Sequence, residues 1–71
     1  MKVPRDVSGP DAVKAFKRLG FEVVRQEGSH IRMSKAGIHI TIPNHKEIAP
    51  KTLQTMLRQA AMTVDEFRDA M

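Results

Sequence analysis

Two short segments in which apolar and polar residues alternate with a period of two constrain this chain more than anything else in it. Ile31-Arg32-Met33-Ser34, with His30 at its first position, and Ile38-His39-Ile40-Thr41-Ile42-Pro43 each read as a half-buried strand. Lys35-Ala36-Gly37 between them supplies a turn, in which Gly37 takes a positive φ at little cost. Pairing Ile31 with Ile40 and Met33 with Ile38 gathers the apolar side chains on one face. The same register sets His30 opposite Thr41 and Arg32 opposite His39 on the other. One face is therefore core, and the other carries two imidazoles and a guanidinium.

The remaining elements follow from local signals. Lys2-Val3-Pro4-Arg5-Asp6-Val7 reads as an irregular, strand-like lead-in. Ser8-Gly9-Pro10-Asp11 reads as a helix start, with Ser8 as cap, Pro10 in the first turn and Asp11 closing a capping box. Val7 is placed to staple against Ala12. Ala12, Val13, Phe16 and Leu19 share one face of this helix, Lys14, Lys17 and Arg18 the other, and Gly20 ends it. The basic face is either a solvated surface or a non-specific contact to phosphates.

Phe21 to Gln26 reads as a first strand, ending at a Glu27-Gly28-Ser29 turn. Pro43-Asn44-His45-Lys46 breaks the sheet. A second helix opens near Pro50, with Leu53, Met56, Leu57 and Ala60 inward and Lys51, Gln54, Arg58 and Gln59 outward. Thr63 and Glu66 form a second capping box, before a short last helix that packs Val64 and Phe67 onto the domain. The expected product is a two-layer α+β domain, a single one over residues 1–71. Helices cover the apolar sheet face and the polar face stays open.

Composition narrows the function classes. The 71 residues contain no cysteine, which removes disulfides and thiolate metal sites and fits a cytoplasmic location. No segment has transmembrane length, so no membrane partner is expected, and no signal peptide is seen ahead of the domain. The net charge of +4 and pI near 10.0 favour a polyanionic partner, nucleic acid first. The histidines at 30, 39 and 45 match no compact ligand spacing and have no carboxylate cluster beside them, so no metal or other cofactor is expected.

Taken in order, Ser8-Gly9, Leu19-Gly20-Phe21, Arg25-Gln26-Glu27-Gly28-Ser29-His30, Ile40-Thr41-Ile42-Pro43-Asn44-His45, Thr52-Leu53 and Leu57-Arg58-Gln59-Ala60 resemble the HicA toxins of HicA–HicB toxin–antitoxin pairs. The resemblance covers nearly the whole chain. It implies a double-stranded-RNA-binding-like α-β-β-β-α fold with a three-stranded antiparallel sheet. It also implies endoribonuclease cleavage of mRNA, arrest of translation, and neutralisation by a HicB-like antitoxin. His30, in the histidine position of the Gly-Ser-His motif, is the implied catalytic residue, and His45 matches a recurrent family histidine. The chain departs from the family pattern at Ile31, where many members have a second histidine, and at Ala61, where glycine is common. It also lacks tyrosine and tryptophan.

RNA supplies its own nucleophile, the 2′-hydroxyl. A minimal ribonuclease therefore needs a base, an acid and positive charge at the phosphate. His30, placed by Gly28-Ser29, is the candidate base or acid, because imidazole offers both forms near neutrality. Arg32 is either a phosphate clamp or a solvated cross-strand partner. His39 is a candidate second proton-transfer group, and His45 is that or the maker of a turn-stabilising hydrogen bond. Lys14, Lys17, Arg18 and Lys35 are candidate phosphate contacts. The alternative reading is a non-catalytic module of the same fold that binds RNA or a protein partner.

Overall fold

The computed structural model describes residues 3–71. Its order is α1 (Gly9–Arg18), β1 (Glu22–Glu27), β2 (His30–Lys35), β3 (Ile38–Pro43), α2 (Pro50–Gln59) and α3 (Val64–Ala70). The strands form one antiparallel sheet in the order β1-β2-β3, so the fold is the expected α-β-β-β-α arrangement with a C-terminal helix. Lys2, where the lead-in begins, lies outside the described residues. The rest of it, 3–7, forms no helix or strand.

Both capping boxes are present. Asp11 N donates to Ser8 Oγ at 3.1 Å and Ser8 N donates to Asp11 Oδ2 at 3.3 Å, while Thr63 and Glu66 repeat the exchange at 3.1 Å in each direction. Such reciprocal bonds satisfy donors that the first helical turn leaves without carbonyl partners. They are local, so four residues suffice to encode them.

The core fills the space between the helices and one sheet face. Ile31, Met33, Ile40 and Ile42 from the sheet meet Ala12, Ala15 and Phe16 of α1, Leu53, Met56 and Leu57 of α2, and Phe67 of α3. All three phenylalanines are buried, with the Phe16 ring 5.4 Å from that of Phe21 and 5.3 Å from that of Phe67. Ile48 is also fully buried, although it lies in a loop. Its amide donates to the Val7 carbonyl at 2.7 Å, which ties the lead-in to the segment before α2.

β1 differs from the expected strand in two ways. Phe21 precedes it and turns into the core, and all six of its residues are exposed, including Val23 and Val24. The pairing with β2 skips Val24 through a bulge, a device that disrupts the ladder of an edge strand.

The β2–β3 register differs from the expected one by two residues. Ile31 pairs with Ile42, Met33 with Ile40 and Lys35 with Ile38. The connection is a two-residue turn in which Ala36 (φ 48°) and Gly37 (φ 84°) are both left-handed, as a type I′ hairpin requires. A left-handed alanine is the unexpected element, and it shortens the loop. A slip of two preserves parity, so the apolar and polar faces stay as expected while every cross-strand partner changes.

Ala61 (φ 55°) also adopts the left-handed conformation, one residue after the C-cap of α2. Removing its Cβ relieves a cost of about 1–2 kcal/mol, partly offset by the extra freedom of an unfolded glycine. Ala61→Gly is therefore expected to stabilise the domain by about 0.5–1 kcal/mol, read as a higher midpoint in urea.

Candidate active site

The sheet face away from the helices carries three rows of side chains. Glu27, His30 and Pro43 form one row; Arg25, Arg32 and Thr41 the next; and Glu22, Ser34 and His39 the third. Seven of these, Glu22, Arg25, Glu27, His30, Arg32, His39 and Thr41, are exposed, so no described element covers the face. Two arginines and two glutamates balance on it. The chain's net positive charge therefore lies elsewhere, and attraction for an anion here depends on where the individual arginines stand.

His30 stands at the first position of β2, directly after a tight turn. Gly28 at φ 57° occupies the first central position, as in a type II′ hairpin turn, and Glu27 pairs with His30 across it. The Ser29 carbonyl accepts from Asn44 N at 2.7 Å, and the His45 carbonyl accepts from Gly9 N at 2.8 Å. The turn that presents His30 is thereby linked through the Pro43–Lys46 loop to the start of α1.

Gly9 is the keystone of that link. A Cβ there would lie 2.7 Å from both the Pro43 carbonyl oxygen and Asn44 Cα, which are backbone atoms without rotamers to yield. Gly9→Ala is expected to cost about 1–3 kcal/mol, as overpacked sites do, and to lower the thermal midpoint accordingly.

Glu27, His30, Arg32 and Thr41 line one shallow depression. Of the residues singled out in the sequence, it brings His30 and Arg32 together. Glu27 enters from β1, where its carboxylate Oε1 receives Arg25 Nε at 3.0 Å. Both partners are more than half exposed, and such surface pairs contribute about 0–1 kcal/mol, so stability gives little reason for this carboxylate. Among the described residues Arg32 forms no ion pair, which leaves its guanidinium available above the sheet.

The other candidates stand apart. His39 pairs with Ser34, not Arg32, so it is four residues along β3 from the row of His30, or about 13 Å at the usual strand rise. His45 lines a separate concavity with Ser8, Pro10, Asn44 and Lys46, and its backbone carbonyl, not its imidazole, makes the loop contact. Lys14, Lys17 and Arg18 are exposed on α1, on the helical side of the sheet. Arg18 Nη1 donates to the Ala70 carbonyl at 2.9 Å. Lys35 Nζ donates to the Leu19 carbonyl at 2.7 Å and sits 5.9 Å from the Phe21 ring centre, fastening β2 to the end of α1. Arg18 and Lys35 thus have structural partners on the side away from His30.

Two residues of the depression, Glu27 and Thr41, escape a sequence reading that places Glu27 in the turn and pairs Thr41 with His30. The available signal was the brevity of the turn: two residues, Gly28 and Ser29, force Glu27 opposite His30. Among the described residues no three His, Cys, Asp or Glu side chains converge as a metal site, and no helix is long and apolar enough to cross a membrane.

No curated protein matches the chain. A family model described as the HicA toxin of bacterial toxin–antitoxin systems matches residues 9–62, from the first residue of α1 to just beyond α2. That span contains the whole sheet and every residue of the depression, and leaves out only the lead-in and α3. The chain belongs to the HicA toxin family, and with it to the toxins of bacterial toxin–antitoxin systems.

Proposed function

We propose that this HicA family member is an endoribonuclease that cleaves mRNA in the cytoplasm, arrests translation, and is neutralised by a HicB-like antitoxin. The observation that carries the reading is the depression on the uncovered sheet face, where an exposed histidine lies beside an arginine that forms no ion pair among the described residues. Imidazole transfers protons near neutrality, and a guanidinium holds a phosphate through parallel N–H bonds. RNA needs little else, because the attacking oxygen belongs to the substrate.

In this mechanism the 2′-hydroxyl attacks the adjacent phosphorus without a metal, and His30 transfers a proton. Arg32, with Thr41 as a neutral neighbour, stabilises the charge that builds on the phosphoryl oxygens. The departing 5′-oxygen leaves behind a 2′,3′-cyclic phosphate. An antitoxin that covers the open face blocks access to His30 and Arg32 together, whether or not it touches the imidazole.

End chemistry tests the mechanism. Incubation of the purified chain with a defined mRNA in excess EDTA is expected to yield fragments with 2′,3′-cyclic phosphate and 5′-hydroxyl ends. Intact RNA that remains bound to the protein would point instead to a binding module. Cleavage that EDTA abolishes would overturn the metal-free mechanism.

A further inference from the structure

We propose that Glu27 is the general base of this reaction and His30 its general acid, an assignment that rests on the ribonuclease reading above. A single imidazole cannot at once take the 2′-proton and supply a proton to the 5′-oxygen, so the step needs a second group. His39 is in another row of the sheet and His45 lines a different concavity. Of the four side chains around the depression, Glu27 and His30 are the two whose types exchange protons between acidic and neutral pH.

The position of Glu27 fits the role. It pairs directly with His30 across the β1–β2 hairpin, so the two side chains rise from the same row of the sheet. Arg25 Nε at 3.0 Å orients the carboxylate from two residues away on the same strand. A negative charge on a surface that receives phosphates opposes binding, so affinity does not account for a carboxylate at this point. Chemistry does.

The Glu27 carboxylate takes the 2′-hydroxyl proton as the 2′-oxygen forms its bond to phosphorus. The bond from phosphorus to the 5′-oxygen breaks, and the His30 imidazolium gives its proton to that oxygen. The products are the cyclic phosphate, a 5′-hydroxyl, a protonated Glu27 and a neutral His30. Exchange with water restores both groups. Arg25 on β1, Arg32 on β2 and Thr41 on β3 are the groups that face this pair.

The test is the steady-state cleavage of a defined RNA oligonucleotide in EDTA, measured across pH with wild type, Glu27→Gln, Glu22→Gln and His30→Ala. Glu22 lies on the same face in the third row, so its variant controls for loss of a negative charge. Glu27→Gln is expected to lower kcat by about 10²–10⁴-fold with KM unchanged or reduced, and to erase the acid-side limb of the pH profile. Glu22→Gln is expected to behave as wild type.

A second substrate, with sulfur replacing the 5′-leaving oxygen, needs no acid. It is expected to rescue His30→Ala and not Glu27→Gln. Near-normal kcat with an unchanged pH profile in Glu27→Gln would overturn the assignment, as would rescue of Glu27→Gln alone. Either result leaves the ribonuclease reading standing if the wild type still cleaves and His30→Ala does not. A wild type that never cleaves would remove that reading and this proposal with it, and a His30→Ala variant as active as wild type would overturn the roles given to His30 and Glu27.

Discussion

Replacing His30 with alanine is expected to lower the rate of RNA cleavage by about 10²–10⁴-fold, the usual contribution of one positioned proton-transfer group. RNA affinity is expected to change little. The imidazole is exposed at the end of a strand, so its loss opens no cavity and leaves the phosphate contact available to Arg32. The measurement is a pair of assays on one RNA, cleavage rate and equilibrium binding, with a melting curve to show that the fold persists. Equal loss of binding and cleavage would mean that His30 holds RNA and does not react with it.

The largest effect on stability is expected at Phe16. Its ring is fully buried between Phe21 and Phe67, and so joins α1, the residue just before β1, and α3. Phe→Ala changes in cores cost about 3–5 kcal/mol, from lost transfer energy and the cavity left behind. A domain of 71 residues has a total stability of about 4–10 kcal/mol, so Phe16→Ala leaves the chain near or past its unfolding threshold. Phe16→Leu keeps most of the volume and is expected to cost markedly less. Circular dichroism during urea unfolding separates the two, and a small shift for Phe16→Ala would show that the three-ring cluster is not the structural centre.

What the sequence reveals of this molecule depends on how local each interaction is. The capping boxes at Ser8/Asp11 and Thr63/Glu66 lie within four-residue windows and are readable in full. The helical stripe of Leu53, Met56, Leu57 and Ala60 is readable because 3.6-residue periodicity needs no knowledge of the partner surface. The division of the β2–β3 hairpin into apolar and polar faces is readable for the same reason.

The register is a different matter. It hangs on one residue, Ala36, which adopts a conformation that its Cβ disfavours because the hairpin's twist rewards a two-residue turn. That choice moves His39 from beside Arg32 to beside Ser34, and so carries it one row further from His30. Glu27 was hidden because its place opposite His30 depends on Gly28 and Ser29 alone forming the turn, with Glu27 already in the strand. Ile48 was hidden because a backbone bond to Val7, rather than any periodic pattern, carries it into the core.

The distribution of charge has a consequence for binding. The exposed lysines Lys14 and Lys17 of α1 face away from the open sheet, where arginine and glutamate balance. Under the proposed ribonuclease reading, long-range attraction for RNA and local recognition at His30 would use different sides of the domain. In the proposed reaction the open sheet face takes the scissile phosphate.

The most direct measurement is an NMR titration of the labelled protein with a 2′-O-methyl RNA oligonucleotide, which binds but lacks the nucleophile. The His30 imidazole and the Arg25 and Arg32 guanidinium signals are expected to shift together and saturate with one affinity. Shifts confined to the Lys14 and Lys17 side chains, with His30 and Arg32 unmoved at saturation, would contradict the account.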